Sequence, residues 1–296
     1  MIYNKFIPPF LYDLLQKFKA KKKTDYQIGN FTISIPPNFA LPKYQSTLKL
    51  YDRFLPVLAS KLNSNSGLIV DIGANIGDTT IAMLQHCKNP FLCVEPSQVF
   101  LPYLEENLNR LPSEEVKRIS VVKKLIGTGS LSGELVYNGL GTATVNILDG
   151  TNSNTHTRLD DIISNALKVI LLKVDTDGFD FDVLKSAEKT LRSDEPILYW
   201  ENEISEDFQF SGFAELYSLL TQLGYRYIYV FDNFGNLMLE ESSFEAVKNI
   251  NTYVYSMKKK VCTRTIYYTD ILAVTEKRHN VVKQAIEEYK TSWINK

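Results

Sequence analysis

The sequence predicts an α/β protein in which a mostly parallel sheet is covered by helices on both faces. Three observations support this fold class. Short apolar segments alternate with amphipathic helical segments from Gly67 onward, a turn containing glycines follows the first apolar segment, and acidic residues follow several of the others. Parallel strands need crossover helices and are buried on both faces, so their sequences are continuous apolar runs.

Seven strands and five helices are predicted from this alternation. We expect strands at 68–72, 91–94, 119–125, 169–174, 197–200, 225–230 and 266–274. We expect helices at 78–86, 99–110, 181–190 and 214–223, and a final amphipathic helix that carries Val281, Ala285 and Tyr289 on one face. The segment 235–264 shows no clear helical pattern. The seventh strand is therefore expected to be a late, antiparallel insertion at the edge of the sheet.

Residues 1–62 are predicted to be an N-terminal extension that packs on a main domain of residues 63–296. The extension should contain a short strand at 31–35 and an amphipathic helix through 48–62. Nearer the N-terminus, apolar residues recur at helical spacing between Phe10 and Phe18. Five lysines follow between Lys17 and Lys23, the first of them before Phe18. Such a basic amphipathic helix either docks on the protein or makes a weak peripheral contact with an anionic membrane.

The composition excludes several classes of protein. A formal net charge of −1 gives no electrostatic basis for binding nucleic acid. No apolar run reaches the roughly 18 residues of a transmembrane helix, and the N-terminus lacks the layout of a secretory signal, so we expect a cytoplasmic protein. Cys87, Cys93 and Cys262 are widely spaced, which favours reduced thiols over disulfides or a zinc site. Cys93 lies in an apolar run and is expected in the core.

A turn within residues 68–80 is the most informative part of the sequence. An apolar strand leads into Asp71, and Gly73 and Gly77 flank a tight turn that opens a helix. Glycine lets a ligand approach the backbone closely, and the turn follows the carboxyl end of a central strand, where doubly wound sheets bind ligands. Glu95 ends the next strand, where an acidic side chain can bind ribose hydroxyls.

The spacing of this turn excludes two common nucleotide sites. It is not the GxGxxG of dinucleotide-binding proteins, and no GKS or GKT follows it as in a P-loop. Asp71 would repel a pyrophosphate but suits a ligand with a sulfonium and an ammonium group. A turn that serves only strand-to-helix packing is the alternative, and the placement of Asp71 and Glu95 disfavours it.

Five motifs in order resemble those of the FkbM family of O-methyltransferases. They are VDIGANIGD, VEP at 94–96, RLDDI at 158–162, LLKVDTDGFD at 171–180 and VLKSAEKTL at 183–191. The segment 41–56, LPKYQ…YDRFLP, is also similar to the family. The resemblance implies a Rossmann-like class I methyltransferase fold with a seven-stranded sheet and S-adenosylmethionine as the donor. It further implies a hydroxyl acceptor on a carbohydrate or small metabolite.

The resemblance also implies which residues hold the donor. By position, Asp71, Gly73, Asn75 and Gly77 would line the methionine part and Glu95 would bind the ribose. Gly127, in the segment 127–130, would lie near the adenine. Two departures stand out: Asp177 and Asp180 replace the more usual glutamates, and Trp200-Glu201 replaces a more usual Phe-Glu. We expect the second difference at the pocket wall.

Acidic side chains at strand ends are the candidates for the chemistry. Methyl transfer to a hydroxyl needs alignment of the reactants and a base that takes the proton. Asp175 follows one apolar strand directly and Glu201 ends the next, so we predict that Asp175 touches donor or acceptor and that Glu201 faces the acceptor. His156, in a polar loop, is a further candidate base. Each has a structural alternative: a cap before a helix, a strand-end hydrogen bond and an exposed loop residue, respectively.

The remaining residues of this cluster leave a metal open but not favoured. Lys173 is expected to pair with a neighbouring carboxylate, and Asp177 and Asp180 could simply favour a helix N-terminus. Several carboxylates could hold a hard cation, but their spacing fits no calcium loop, so no metal is predicted.

Two other functions remain possible for a fold of this class. One is a non-catalytic domain that binds S-adenosylmethionine or a protein partner. The other is a nicotinamide-dependent oxidoreductase, which the missing GxGxxG and the lack of a Tyr-x-x-x-Lys pair near the expected strand disfavour.

Overall fold

The structure, a computed structural model, describes residues 23–63, 66–130, 133–139, 142–147, 156–163, 167–259 and 266–294. The predicted basic helix lies outside the described residues except for Lys23, and Cys262 lies outside them too. Cys93 is fully buried, as expected for a core residue. None of the described helices is long and apolar enough to cross a membrane.

The chain begins its described part with a hairpin and two short helices. These are β1 (Thr24–Ile28), β2 (Phe31–Ile35), α1 (Leu41–Thr47) and α2 (Phe54–Lys61). The strands β1 and β2 pair antiparallel. Apolar side chains of these elements, including Ile33, Leu41 and Leu58, belong to the same hydrophobic cluster as the central sheet. The strand at 31–35 was predicted, whereas β1 and α1 were not.

The following elements build an α/β layer structure. Its strands are β3 (Gly67–Ile72), β4 (Phe91–Val94), β5 (Ile119–Val122), β6 (Gly133–Gly139), β7 (Thr142–Ile147), β8 (Lys168–Val174), β9 (Ile197–Asn202), β10 (Tyr227–Asp232), β11 (Leu237–Ser242) and β12 (Thr269–Val274). Its helices are α3 (Asp78–Leu84), α4 (Leu101–Asn109), α5 (Ser113–Val116), α6 (Asp180–Lys185), α7 (Glu188–Asp194), α8 (Asp207–Gln222), α9 (Phe244–Lys259) and α10 (Glu276–Tyr289).

Eight strands form the central sheet in the order β11-β10-β12-β9-β8-β3-β4-β5. The five strands from β9 to β5 are parallel, and β12 runs antiparallel between β9 and β10. The predicted α/β fold with a mostly parallel sheet is confirmed. The strands β6 and β7 form a separate antiparallel pair.

Helices cover both faces of this sheet. Successive strand residues point to opposite sides, and both sides carry apolar side chains that must be buried. Ile69 and Leu171 join one buried cluster with α2, α3, α4 and α10, whereas Val70 and Leu172 join another with α6, α7, α8 and α9. The same alternation separates Trp200 from Glu201. Trp200 is fully buried in the second cluster and does not reach the pocket wall, which corrects the sequence-based expectation.

Several predicted boundaries were wrong. The sheet has eight strands instead of seven because β11 follows β10 as an antiparallel hairpin, and the segment 235–264 contains both β11 and α9. The strand β12 is antiparallel as predicted, but it lies inside the sheet and not at its edge. The helix expected at 181–190 is two helices. The two helices are separated at Ser186, whose hydroxyl oxygen accepts the Leu159 N–H. Asp160 caps α7 by accepting the Lys189 and Thr190 N–H groups.

One buried amide joins the N-terminal hairpin to the sheet. Asn107 on α4 accepts the Ser34 N–H at 2.6 Å and donates to the carbonyls of Ser34 and Ile76 at 3.0 and 2.9 Å. Ile76 belongs to the turn after β3, so this amide connects the hairpin directly to that turn. The division at residue 62 stays a prediction.

Replacing Asn107 by alanine is expected to lower the free energy of unfolding by about 3 kcal/mol, because three buried backbone groups lose their partner. The measurement is denaturant unfolding followed by circular dichroism. The matched control is Asn109→Ala on the exposed side of the same helix, expected to change stability by less than about 0.5 kcal/mol. Equal losses in the two variants would contradict the proposed link.

Candidate active site

A large cavity lies at the carboxyl ends of the parallel strands. Its volume is about 1120 Å³, and it is bounded by the loops that follow β3, β4, β8 and β9, by the connection between α1 and α2, and by β10 and β12. Ten of its lining residues are Asp or Glu and three are Lys or Arg. The cavity exceeds the range of roughly 300–1000 Å³ that is usual for one small ligand. It is therefore large enough for two ligands and strongly acidic.

The turn after β3 forms one wall of the cavity. Gly73 and Ala74 donate their N–H groups to the carbonyl of Val94 at 2.9 and 3.0 Å, which joins the turn to the end of β4. Gly73 has a φ of +73°, and a Cβ there would lie 1.8 Å from the carbonyl oxygen of Asp175. Only glycine fits because the loop after β8 touches the turn directly.

Gly77 and Gly127 do not reach the cavity wall. Gly77 has a φ of +86° at the start of α3, and a Cβ there would lie 2.8 Å from Leu104. A Cβ on Gly127 would lie 2.4 Å from a carboxylate oxygen of Asp182 and 2.8 Å from the ring of His156. Both glycines thus permit close packing next to the cavity.

Asp71 lies in a buried ion pair beneath the turn. Its carboxylate is 3.0 Å from the Lys173 ammonium and accepts a hydrogen bond from Thr80 at 2.6 Å. Lys173 also lies 3.4 Å from Asp175, and it donates to the carbonyl of Gly73 at 3.2 Å. Burial alone lowers the pKa of Lys173, but Asp71 and Asp175 together raise it above its usual value. The expected pairing of Lys173 is confirmed, while Asp71 is not among the residues that line the cavity.

Glu95 and Asn75 lie at the wall between β3 and β4. The Glu95 carboxylate accepts the N–H groups of Asn75 at 2.8 Å and Ser97 at 2.7 Å. Burial raises the pKa of Glu95 to about 7. The side chain is thus fixed in position at the cavity edge, with lone pairs left on both oxygens for hydroxyl donors.

His156 lines the cavity in a different place from Asp175 and Glu201. The backbone of its neighbour Thr157 bridges to Ile126, and its ring lies against Gly127. Asp182 is next to it and accepts the Thr128 N–H at 2.9 Å. Two of the three sequence-based candidates therefore lie apart, His156 beside Gly127 and Asp175 beside Lys173.

Glu201, the third candidate, belongs to a separate group built by β9 and β12. In the antiparallel pairing of these strands Glu201 lies directly opposite Asp270. The hydroxyl of Tyr199 is close enough to lower the pKa of Asp270 by hydrogen bonding, which burial outweighs. Burial, and then the charges of Asp175 and Asp177, raise the pKa of Glu201 well above its usual value. Burial and the charges of Asp175 and Asp52 likewise raise the pKa of Asp270.

The sequence did not predict Tyr51, Asp52, Tyr268 or Asp270 as site residues. All four line the cavity. Burial and the charge of Asp78 raise the pKa of Asp52 to about 8. The segment LPKYQ…YDRFLP, which contains Tyr51 and Asp52, was the only available signal for the first two. Tyr268 and Asp270 had none, because only the strand order brings β12 beside β9.

Three of the six described non-glycine residues with a left-handed backbone lie at this cavity. Asp52, Asn75 and Asp177 have φ values of +58°, +50° and +50°, in the left-handed region that residues other than glycine seldom adopt. All three line the cavity. Strain of this kind is retained where surrounding structure enforces it, and it is common at functional sites.

Three carboxylates of the cavity are close enough to share a cation. One oxygen each of Asp177, Glu201 and Glu203 lie within 4.8 Å of one another. This is a spacing that a hard cation with oxygen ligands could use. Three acidic side chains can equally be close together without a metal in a cavity as acidic as this one.

The chain was compared with known proteins. The family model for the methyltransferase FkbM domain matches residues 71–227. No curated protein shows significant sequence similarity to the chain.

Similar solved structures include three methyltransferases. The methyltransferase FkbM from Methylobacillus flagellatus KT is 18% identical with a TM-score of 0.40, over 64% of this chain and 54% of that protein, so the chain spans about half of its length. The O-methyltransferase from Bacillus cereus, in complex with SAH, is 14% identical with a TM-score of 0.44, over 80% and 89%. Precorrin-6y C5,15-methyltransferase from Geobacter metallireducens GS-15 is 10% identical with a TM-score of 0.39, over 75% and 87%.

Asp180 should make stability depend on pH. It is fully buried, and burial and the charge of Asp175 raise its pKa to about 8. The folded protein then keeps a proton that the unfolded chain loses above about pH 4, so stability falls as pH rises from there to about 8. Asp180→Asn removes this proton while its amide oxygen can still accept from Thr176. Between about pH 5 and 8, wild type should lose roughly 1–3 kcal/mol more than the variant.

The measurement is urea unfolding across that pH range. Asp161→Asn, at an exposed position, is the control and should follow wild type. The same pH slope in wild type and Asp180→Asn would contradict a proton held by Asp180 in the folded state.

Gly73→Ala tests the contact between the two cavity loops. Gly224 is the matched control because it has a φ of +88° and open space where a Cβ would be, so Gly224→Ala adds backbone strain alone. We expect a loss of about 1 kcal/mol for Gly224→Ala and at least about 3 kcal/mol for Gly73→Ala, measured by chemical unfolding. Similar losses would mean that the loop after β8 moves away without cost.

Proposed function

The chain belongs to the FkbM methyltransferase family, and from this premise we propose that it transfers a methyl group from S-adenosylmethionine to a hydroxyl group of a carbohydrate or small metabolite. The family carries with it the Rossmann-like class I methyltransferase fold, here with eight strands in the central sheet. The methyl donor is S-adenosylmethionine. The observation that supports the hydroxyl acceptor is the group of carboxylates beside the donor region of one large cavity.

The residues present fit this donor. The close approach at Gly73, where a Cβ would strike Asp175, leaves backbone and not side chain at the wall of the cavity. We assign Gly73 and Asn75 to the methionine part and Glu95 to the ribose hydroxyls. Gly127 and Thr128 border the place that we assign to the adenine. The acidic lining of the cavity suits a donor that carries a sulfonium charge.

Asp71 and Gly77 support the donor site without touching it. Asp71 holds Lys173, and Lys173 holds the carbonyl of Gly73, so the ion pair fixes the shape of the turn. Gly77 lets α3 start immediately after the turn while Leu104 packs against it. We therefore assign both as positioning residues.

When bound, S-adenosylmethionine would supply a methyl group attached to a positively charged sulfur. The sulfur would keep the bonding electron pair when the acceptor oxygen takes the methyl group. The protein must align the acceptor and remove its hydroxyl proton. A positioned base contributes roughly 10²- to 10⁴-fold to such a step. We propose that Asp175 takes this proton, since its side chain is half exposed to the cavity and borders the turn.

Glu201 has a different role in this proposal. Its raised pKa comes from burial among other carboxylates, and we propose that it faces the acceptor. His156, beside Gly127, borders the adenine side of the cavity. We therefore favour Asp175 over His156 as the base.

Calorimetric titration with S-adenosylmethionine and S-adenosylhomocysteine tests the donor site. Glu95→Gln is expected to weaken both by at least about tenfold, because the amide replaces a charged acceptor by a weaker one and puts a donor beside the Asn75 or Ser97 N–H. Glu105→Gln, on the exposed side of α4, should bind as wild type does. Absence of binding to the folded wild-type protein would reject the donor, and unchanged binding by Glu95→Gln would reject the assigned ribose contact.

A further inference from the structure

Two carboxylates face each other across neighbouring strands in the acceptor part of the cavity. Glu201 on β9 and Asp270 on β12 are direct partners in an antiparallel pair. Side chains in such positions lie about 5 Å apart, and like charges there destabilise a sheet. Both side chains line the cavity. The sheet therefore maintains a repulsive pair where a ligand can reach it.

No described cation neutralises this pair. Among residues that the structure describes, no Lys or Arg forms an ion pair with Glu201, Asp270 or the nearby Asp52. Lys173 is already shared by Asp71 and Asp175. The guanidinium of Arg53 lies over the ring of Trp293. Burial, and then the charges of other nearby carboxylates including Asp175, raise the pKa of all three carboxyl groups.

The methyl donor does not balance this charge either. It carries a sulfonium, an ammonium and a carboxylate, for a net charge of +1. The cavity has ten acidic and three basic lining residues. With the donor bound at the Gly73 turn, Glu201 and Asp270 still form no ion pair with a described Lys or Arg.

The walls around the pair are aromatic. Tyr51, Tyr199, Tyr268 and Phe231 line the same part of the cavity, and Phe231 is the direct neighbour of Asp270 on β10. Aromatic faces attract organic cations, and carboxylates combined with such faces are the usual environment of a bound ammonium group. A hard metal ion prefers oxygen ligands and retained waters, which ring faces do not provide.

We propose that the acceptor is a cationic hydroxyl compound, such as an amino sugar or an amino alcohol, whose ammonium group lies between Glu201 and Asp270 among these rings. The inference rests on the proposed function and names its class of acceptor. The hydroxyl O–H bond breaks and its proton passes to Asp175, while the oxygen forms a bond to the methyl carbon. The S–CH₃ bond breaks with its electron pair on sulfur, giving a methyl ether and S-adenosylhomocysteine, and the ammonium group is unchanged.

Matched probe pairs test this assignment on the full chain saturated with S-adenosylhomocysteine. Glucosamine and galactosamine are titrated calorimetrically against glucose and galactose and against the neutral N-acetyl forms. The amines should bind at least about tenfold more tightly than either neutral counterpart, because only they place a charge against the two carboxylates. The preference should fall to less than about threefold in Glu201→Gln and in Asp270→Asn. Glu188→Gln, on an exposed helix surface, should keep it.

Stability provides a second readout that a purely structural role would not give. Glu201→Gln and Asp270→Asn each remove one of two like charges that repel each other. Without probe, each variant should therefore melt at a higher temperature than wild type at pH 8, while Glu188→Gln should not. A variant that loses both stability and the amine preference would indicate a structural role and overturn the proposal.

The remaining outcomes of these titrations also decide whether the acceptor is cationic. Equal binding of amine and neutral probes, or binding of none of them to the S-adenosylhomocysteine complex, overturns the cationic acceptor and leaves the methyltransferase proposal intact. Binding of Mg²⁺ alone that is lost in Glu201→Gln overturns it in favour of a metal held by Asp177, Glu201 and Glu203. Failure of S-adenosylhomocysteine itself to bind rejects the proposed function and this inference together.

Discussion

The buried ion pair between Asp71 and Lys173 is the interaction on which the site depends. The two residues are direct partners on β3 and β8, two neighbouring interior strands of the sheet. Lys173 reaches from this pair to the carbonyl of Gly73 and to Asp175. One ammonium group thus fixes the turn that we assign to the donor and the loop that we assign to the base.

Such a pair is better understood as a device for geometry than as a source of stability. Removing two charges from water costs most of what their attraction returns, whereas breaking a buried pair leaves an isolated charge and costs about 3–5 kcal/mol. The arrangement has a clear consequence for the loops. Gly73 and Asp175 approach too closely to tolerate a Cβ, so any shift of the ion pair would open the contact between them.

Much of the fold could be predicted from the sequence, because the buried parallel strands are short apolar runs with clear ends. The turn at Gly73 and the carboxylate at Glu95 were identified for the same reason: each directly follows such a run. The elements that were missed have weaker patterns. Strand β11 is an edge strand with a partly exposed surface, and α8 begins seven residues earlier than expected because Ser211 and Gly212 interrupt its helical pattern. Gly212 is needed there, since a Cβ would lie 2.3 Å from the ring of Phe181.

The acceptor side of the site was less predictable than the donor side. Asp71 was expected at the cavity wall because its position in the motif is clear, but no local pattern reveals that Lys173, far along the chain, pairs with it. Asp270 could not be identified at all. Its role depends on a strand order in which β12 enters between β9 and β10. Contacts across such distances in the chain leave no local signal.

This strand order also means that the donor side and the acceptor side of the cavity depend on different parts of the chain. The turn, Glu95 and the loop at Thr128 all lie within the first half of the chain, whereas β12 comes after β10, β11 and α9 and lies between β9 and β10. Pairings between distant segments form slowly because a long loop must close first. The pairing of β12 with β9, which places Asp270 opposite Glu201, is therefore expected to form late in folding. The residues that we assign to the donor all precede β12 in the chain, so only the acceptor side of the cavity depends on that strand.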